Sequence, residues 1–248
     1  MIEVRNLSKS FGDALILDDV SLQVESAESV VIIGRSGGGK SVLLKHIIGL
    51  LTPDSGEVLI DRENIVGLDE RQLLRVRHKF GMLFQSAALF DSMTVAENVG
   101  FALLREGCPP DKIKAKVARA LEVVELPGTE NKKPSELSGG MRKRVGLARA
   151  IVYEPEIVLY DEPTTGLDPV VSDSIDQLIL RVRDRLKVTT VVVTHDMRSA
   201  RRLGHRILML HNKKIYITGT PDEIFSSQDP VVYKFVNGIS DAKDTLNV

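Results

Sequence analysis

The stretch that most constrains this chain is Gly34-Arg35-Ser36-Gly37-Gly38-Gly39-Lys40-Ser41, which fits the pattern G-x-x-x-x-G-K-[ST]. It follows the apolar run Val30-Val31-Ile32-Ile33. It opens the segment Lys40 to Leu50, where Val42, Leu43, Leu44, Ile47 and Ile48 recur at helical spacing. Strand before and helix after is the context in which such a loop binds phosphate. Its glycines allow backbone angles that turn successive N–H groups inward, forming an anion nest. The helix start adds roughly half a positive charge. Lys40 brings a full charge to the outer phosphates of a nucleotide, and the Ser41 hydroxyl can ligate Mg²⁺. A glycine-rich turn that merely starts a helix is the plainer alternative, and the flanking strand and helix argue against it.

Ile157-Val158-Leu159-Tyr160 and Val191-Val192-Val193 are likewise short and apolar throughout, as strands of a parallel sheet covered on both faces are. Val117, Ala120, Leu121 and Val124 recur as on an amphipathic helix. This alternation predicts an α/β fold around a parallel sheet. Ile2-Glu3-Val4-Arg5 and Val20-Ser21-Leu22-Gln23-Val24 instead alternate apolar with polar, and Glu57-Val58-Leu59-Ile60 follows the turn Pro53-Asp54-Ser55-Gly56. An N-terminal antiparallel β subdomain is therefore expected beside the parallel core. From Ser86 to Glu154 the pattern is mostly helical, broken at Pro109-Pro110, Pro127-Gly128 and Pro134. We read residues 1–220 as one phosphate-loop domain, with 86–154 as a helical subdomain inserted within it, and 221–248 as a C-terminal extension.

The strand Ile157–Tyr160 runs into Asp161 and Glu162. In phosphate-loop enzymes an Asp at such a strand end holds Mg²⁺, and an adjacent Glu can polarise a water. Asp161 is assigned to the metal and Glu162 to the general base. The alternative, two acids capping a helix near Pro163, is weakened by the phosphate loop upstream.

Composition narrows the rest. Lys and Arg number 33 against 34 Asp and Glu, a net charge of -1, which argues against bulk electrostatic binding to nucleic acid or anionic lipid. The one cysteine, Cys108, permits no internal disulfide, fits a reducing compartment and is read as an inert thiol in a loop. No apolar run approaches the roughly 20 residues of a membrane span, and Met1 to Asn6 carry no secretory core. A membrane role is thus expected to come through a partner. The absence of Trp leaves no aromatic stacking platform. Arg198, Arg201, Arg202 and Arg206 are read as a solvated helix face. His46, His78, His205 and His211 lack metal-ligand spacing and are read as structural or exposed.

Further motifs follow in a fixed order: Phe11, then Gln85 after Met82-Leu83-Phe84, Leu137-Ser138-Gly139-Gly140-Met141, Thr165-Gly166-Leu167-Asp168, and Thr194-His195-Asp196. On these residues the sequence resembles the ATP-binding cassette (ABC) family, the nucleotide-binding subunits of ABC transporters. The resemblance implies the ABC ATPase fold, with ATP and Mg²⁺ as cofactors. It implies that Phe11 stacks on adenine and that Gly34, Arg35, Ser36, Gly37, Gly38, Gly39, Lys40, Ser41 and Val42 line the nucleotide. Gln85 would join Ser41 and Asp161 at the metal and contribute to catalysis. Ser138, Gly139 and Gly140 would close on the ATP held by a second copy, and Asp168 would connect the two sites. His195 would orient the γ-phosphate and the attacking water near Glu162. A Ser-Gly-Gly helix start is itself an anion-binding element, which agrees with that assignment. There are departures: Met141 replaces the commoner Gln or Glu, Val42 replaces Thr, and Phe11 replaces Tyr. Stacking on Phe11 is nonspecific and leaves room for other purine triphosphates.

The core Ser86-Ala87-Ala88-Leu89-Phe90-Asp91-Ser92-Met93, Gly39 to Val42, Met141 and the tail Asp229 to Gly238 are similar to the Mla/Mkl-type ATPases. These serve lipid transporters whose partners include MCE-domain proteins. That likeness implies a homodimer peripheral to the cytoplasmic side of the inner membrane. It implies an integral-membrane permease, an MCE-domain lipid-binding partner, phospholipid cargo moved between inner and outer membrane, and no nucleic acid. Small and apolar residues past Gln85 can line a groove for a permease helix. Leu89, Phe90 and Met93 are assigned to that contact over core packing, while Phe84 is left open between the two. The rivals are a soluble cassette ATPase acting on DNA or ribosomes, a cassette serving a non-lipid cargo, and a small-molecule kinase. The first usually carries two cassettes or a long coiled coil, and the last has no use for the signature motif, Gln85 or His195.

Overall fold

The computed structural model describes residues 1–240. Positions 241–248 of the C-terminal extension lie outside the described residues. In chain order the elements are β1 (Ile2–Phe11), β2 (Ala14–Val24), β3 (Ser29–Ile33), α1 (Lys40–Ile47), β4 (Ser55–Ile60), β5 (Glu63–Asn64) and α2 (Glu70–Arg77). There follow β6 (Phe80–Leu83), α3 (Val95–Arg105), α4 (Pro110–Val123), α5 (Gly139–Ile151), β7 (Ile157–Asp161) and α6 (Pro169–Leu186). The chain continues through β8 (Thr189–Thr194), α7 (Met197–Leu203), β9 (Arg206–His211), β10 (Lys214–Gly219), α8 (Pro221–Phe225) and α9 (Pro230–Val236).

Two sheets organise the chain. The central one has the strand order β10-β9-β3-β8-β7-β6, and the smaller one β2-β1-β4-β5. From β9 to β6 every pairing in the central sheet is parallel. Its edge is closed by β10, which runs antiparallel to β9 and was not expected from the sequence. The smaller sheet is antiparallel throughout, as the polar alternation of β1 and β2 requires.

The apolar runs of β3, β7 and β8 are buried on both faces because each face is covered by a different layer. Val31, Ile33, Val158, Tyr160 and Val192 pack with residues of α3 to α7. Their strand neighbours Val30, Ile32, Leu159, Val191 and Val193 pack with α1 and the antiparallel sheet. Side chains of a strand alternate in this way, and each buried Val, Leu or Ile stabilises the fold by about 1.5–3 kcal/mol. The helices α3, α4 and α5 fall within 86–154. The helix expected to reach Leu50 ends at Ile47, with Gly49 in a left-handed conformation just beyond it (φ 69°). Ser55 and Gly56, expected in a turn, belong to β4. In the first part of the 221–248 segment, Ile224 and Val232 insert into the same core as α3 to α7.

Three of the four arginines after His195 are tied to acids: Arg202 to Asp173, Arg201 to Asp222 and Arg206 to Glu28. Arg198, Arg201 and Arg202 lie on α7, as expected of a helix face, whereas Arg206 belongs to β9. Deeper between α6 and α7, the Ser199 hydroxyl donates to Asp176 Oδ2 at 2.7 Å, while Oδ1 has no partner among the described residues. Burial, reinforced by the nearby negative charge of Asp196, lifts the Asp176 pKa to about 6. In the unfolded chain an Asp titrates near ~3.9. The native state therefore binds the extra proton in the window between these values, and stability falls as pH rises through it. Asp176→Asn removes the ionisable group, so its melting temperature relative to the parent should increase from pH 4.5 to pH 7.5. Thermal unfolding at a series of pH values measures this, and a constant difference would mean that Asp176 carries no such penalty.

Candidate nucleotide-binding and hydrolysis site

The order β3-β8-β7-β6 decides where the functional residues meet. Parallel register aligns Ile33 with Thr194, Val193 with Asp161, and Tyr160 with Leu83. The segments leaving these four strand ends carry Gly34 to Gly39, His195, Glu162 and Gln85. Residues far apart in the chain thus emerge side by side along one sheet edge, where ligands bind in open α/β sheets.

The loop Gly34 to Gly39 depends on its glycines. A Cβ at Gly34 would sit 2.5 Å from the Leu210 carbonyl oxygen, so only glycine lets the loop leave β3 against β9. Gly39, the N-cap of α1, has φ 96° and packs against Ile16 and Leu17 of the β1–β2 hairpin. No side chain caps the first turn of α1, whereas α2, α3, α5 and α6 are capped by Asp69, Thr94, Ser138 and Asp168. The first N–H groups of α1 are thus left to an anion.

Lys40 is buried, and its ammonium donates to the carbonyls of Gly34 (2.8 Å) and Arg35 (2.9 Å). Burial holds its pKa below the ordinary lysine range, opposed by the negative charge of Glu162, whose Oε1 lies 3.6 Å away. The Ser41 hydroxyl donates to Asp161 Oδ1 at 2.6 Å. A hydroxyl and a carboxylate held together are hard oxygen donors, the set that suits Mg²⁺.

Glu162 is fixed at nearly every polar atom. Its N–H donates to Val193 O at 3.0 Å, and its carbonyl accepts from Lys143 Nζ at 3.2 Å and from Thr165 N at 3.3 Å. Its Oε2 accepts from His195 Nδ1 at 2.8 Å and from the Thr165 hydroxyl at 3.2 Å. These contacts hold a backbone with φ 49°, a left-handed conformation that costs a non-glycine residue about 1–2 kcal/mol. No helix starts at Pro163: the next begins at Pro169.

The expected residues fall into two groups. Lys40, Ser41, Asp161, Glu162 and His195 are joined by direct contacts. Gln85 is not: its side chain is exposed, and only its carbonyl is held, by Lys143 Nζ at 2.6 Å. The loop after it is turned away through Ala87 (φ 60°) and Ala88 (φ 47°). Ser138 caps α5, while Gly139 and Gly140 lie against Leu167 and Val171. Among the described residues, none of the three shares a hydrogen bond with the phosphate loop of the same chain. Asp168 caps α6 by accepting from Val170 N and Val171 N. Phe11, 48% exposed at the β1–β2 turn, lies under the Lys9 ammonium. Val42 packs on the core behind the loop. Three residues that the sequence assigned no role in the site contribute to it: Lys143, Arg149 and Thr165, the last named only within its motif. Each basic residue lies on the apolar side of α5, and a lysine on such a face was the available signal.

Residues 17–165 match the ABC transporter family, so the chain belongs to that family and is the ATP-hydrolysing subunit of an ABC transporter. It is 43% identical to the probable ribonucleotide transport ATP-binding protein mkl of Mycobacterium leprae, over 96% of this chain and 69% of that protein. It is 40% identical to the intermembrane phospholipid transport system ATP-binding protein MlaF of Haemophilus influenzae, over 97% of this chain and 92% of that protein. A solved dimeric ATP-binding cassette in a post-hydrolysis state, bound to ADP and Pi, matches with a TM-score of 0.81 and 34% identity, covering 89% of this chain and 99% of that one.

Replacing Lys40 by Ala removes a buried charge from the phosphate loop. ATP affinity should fall by about tenfold to a hundredfold, the loss expected for a charge-assisted hydrogen bond. Titration with a fluorescent ATP analogue measures this, and an unchanged dissociation constant would remove Lys40 from the phosphates.

Proposed function

We propose that two copies of this chain enclose each ATP between the phosphate loop of one and the Ser138 helix start of the other. The resulting cycle drives phospholipid movement by an attached membrane permease. The observation that carries the catalytic part is the cluster of Lys40, Ser41, Asp161, Glu162 and His195 on adjacent strand ends. The loop N–H groups and Lys40 hold the outer phosphates, and Phe11 covers the base. Ser41, Asp161 and Gln85 would hold Mg²⁺, which supplies charge neutralisation at the β- and γ-phosphates. Glu162 takes the proton of the attacking water. The Nδ1–H of His195 donates to Glu162 and fixes the ring, leaving Nε2 to orient the γ-phosphate or the water. Negative charge spread over the γ-oxygens in the transition state calls for further donors. The Ser138–Gly140 helix start of the second copy supplies them, and Asp168 links the two sites.

The permease contact is supported by an apolar groove of about 610 Å³, lined in part by Leu50, Leu74, Phe84, Phe90, Phe101 and Tyr153. Leu50, Leu74 and Phe90 are 45%, 53% and 44% exposed, which suits an apolar helix laid across them. Phe90 is held there by the buried Asn98, whose amide bonds both its N–H (2.8 Å) and its carbonyl (3.1 Å). Of the other residues assigned to this contact, Leu89 packs on the core and Met93 lines a separate groove between α3 and α4. Phe84, left open before, both packs on the core and lines the groove.

The cargo is bound by partners rather than by this chain, so phospholipid is supported by likeness: the MlaF relative matches almost from end to end. The name of the mkl relative points to ribonucleotide instead. No helix among the described residues is long and apolar enough to cross a membrane. In this reading the chain sits at the cytoplasmic face of the inner membrane, held there by its permease, with an MCE-domain protein completing the complex.

Purification of the complex from membranes should recover an integral-membrane subunit, an MCE-domain protein and bound phospholipid. Recovery of nucleotide cargo without lipid, or of DNA or ribosomes, would overturn the transport reading. Glu162→Gln should keep ATP binding, lose about 10²–10⁴-fold in turnover and accumulate an ATP-dependent dimer by sedimentation. Turnover near the parent rate would show that another group is the base.

A further inference from the structure

One side of α5 grips the segment that follows β6. Lys143, Gly146 and Arg149 succeed one another at three-residue steps along it. Lys143 Nζ donates to the carbonyls of Gln85 (2.6 Å) and Glu162 (3.2 Å). At Gly146 an added Cβ would lie 2.9 Å from Leu83 Cδ1 and 3.1 Å from Ala87 Cβ, so helix and segment are in direct contact. The Arg149 guanidinium donates to Ala87 O (2.8 Å) and Ala88 O (2.7 Å). Those two carbonyls belong to the left-handed turn that carries the chain away from Gln85.

Lys143 is only 5% exposed. A buried ammonium is tolerated only where its N–H donors are satisfied. Here its two acceptors among the described residues are the backbone carbonyls of Gln85 and Glu162, just past the ends of β6 and β7. Burial holds its pKa below the usual lysine range, opposed by the charges of Asp161 and Glu162. A main-chain carbonyl is a demanding partner, because holding it fixes the backbone that aims the side chain. At Glu162 that backbone is left-handed and needs external support.

We propose that Lys143 is a positioning residue for ATP hydrolysis: its ammonium locks the Glu162 backbone to the Gln85 loop and ties both to the helix that begins at Ser138. Lys143 stands five residues after Ser138, about 7 Å along the helix axis. In the proposed dimer, Ser138 senses the nucleotide of the other copy while Lys143 sets the base for the nucleotide of its own. Seating of α5 on one ATP is thereby transmitted to hydrolysis of the other. This rests on Glu162 as the base and Ser138 as a contact of the second copy.

The test compares Lys143→Met, which keeps length and loses the donors, with Lys143→Gln, which keeps an N–H donor. Steady-state ATPase assays and ATP titrations are run on both, alongside the parent and Glu162→Gln. Lys143→Met should lose about 10²-fold in kcat, the effect of a displaced catalytic group. Its ATP dissociation constant should stay within about threefold of the parent, as expected when ground-state binding is untouched. Lys143→Gln should recover most of the lost kcat at the same affinity. If Lys143→Met turns over like the parent, or if both variants lose kcat and affinity in step, the lysine is structural only. If Lys143→Met does not fold, Lys143→Gln decides: near-parent kcat and affinity support the proposal, and joint loss overturns it. Failure of the base assignment looks different, since Glu162→Gln would then remain active.

Discussion

The chemistry of this molecule depends on one constraint, the common level at which β3, β8, β7 and β6 end. Parallel pairing with a fixed register leaves little freedom there. Once Ile33 lies beside Thr194 and Val193 beside Asp161, the phosphate loop, His195 and the Asp161–Glu162 pair must emerge together. The burial of those strands on both faces secures the register, because a slip of one residue would exchange the side chains facing the helices for those facing α1 and the antiparallel sheet. Site geometry is thus set by the core rather than by the loops that display it.

Burial then sharpens the charges gathered there. Lys40, Lys143, Asp161 and Glu162 all sit in the interior, where unpaired charge is costly and paired charge is strongly oriented. Each ammonium is fixed by main-chain carbonyls: Lys40 by those of its own loop, Lys143 by those of two strand ends. The cluster is therefore pre-organised by hydrogen bonds that belong to the fold. A site of this kind can stabilise transition-state charge without first reorganising solvent.

Much of this was legible in the sequence, and the boundary is physical. Short apolar runs announced β3, β7 and β8 because burial on both faces leaves no polar alternation, and the glycines of the phosphate loop announced a backbone that other residues cannot follow. Asp161 and Glu162 were readable as a pair at a strand end. What sequence could not convey was contact across the chain. A lysine on an apolar helix face marks Lys143 as unusual, but not its partners Gln85 and Glu162, 58 and 19 residues away. The antiparallel β10 drew no expectation, although its exposure alternates along Lys214–Gly219 as on a half-exposed strand. The different fates of Leu89, Phe90 and Met93 are set by Asn98, which turns the loop so that Phe90 alone of the three faces the groove.

Helix α5 unites these levels. At its start it offers Ser138, in its middle it buries Lys143 against two strand ends, and at its far end Arg149 holds the turn that leads toward Phe90. Beyond that turn Asn98 holds Phe90, which lines the groove assigned to the permease. If Ser138 meets the second copy's nucleotide as proposed, α5 joins that contact to the groove-forming loop held by Arg149. In the proposed dimer, displacement of α5 would shift the groove-forming loop and the Glu162 backbone together, through bonds to main-chain carbonyls rather than through exposed, adaptable side chains.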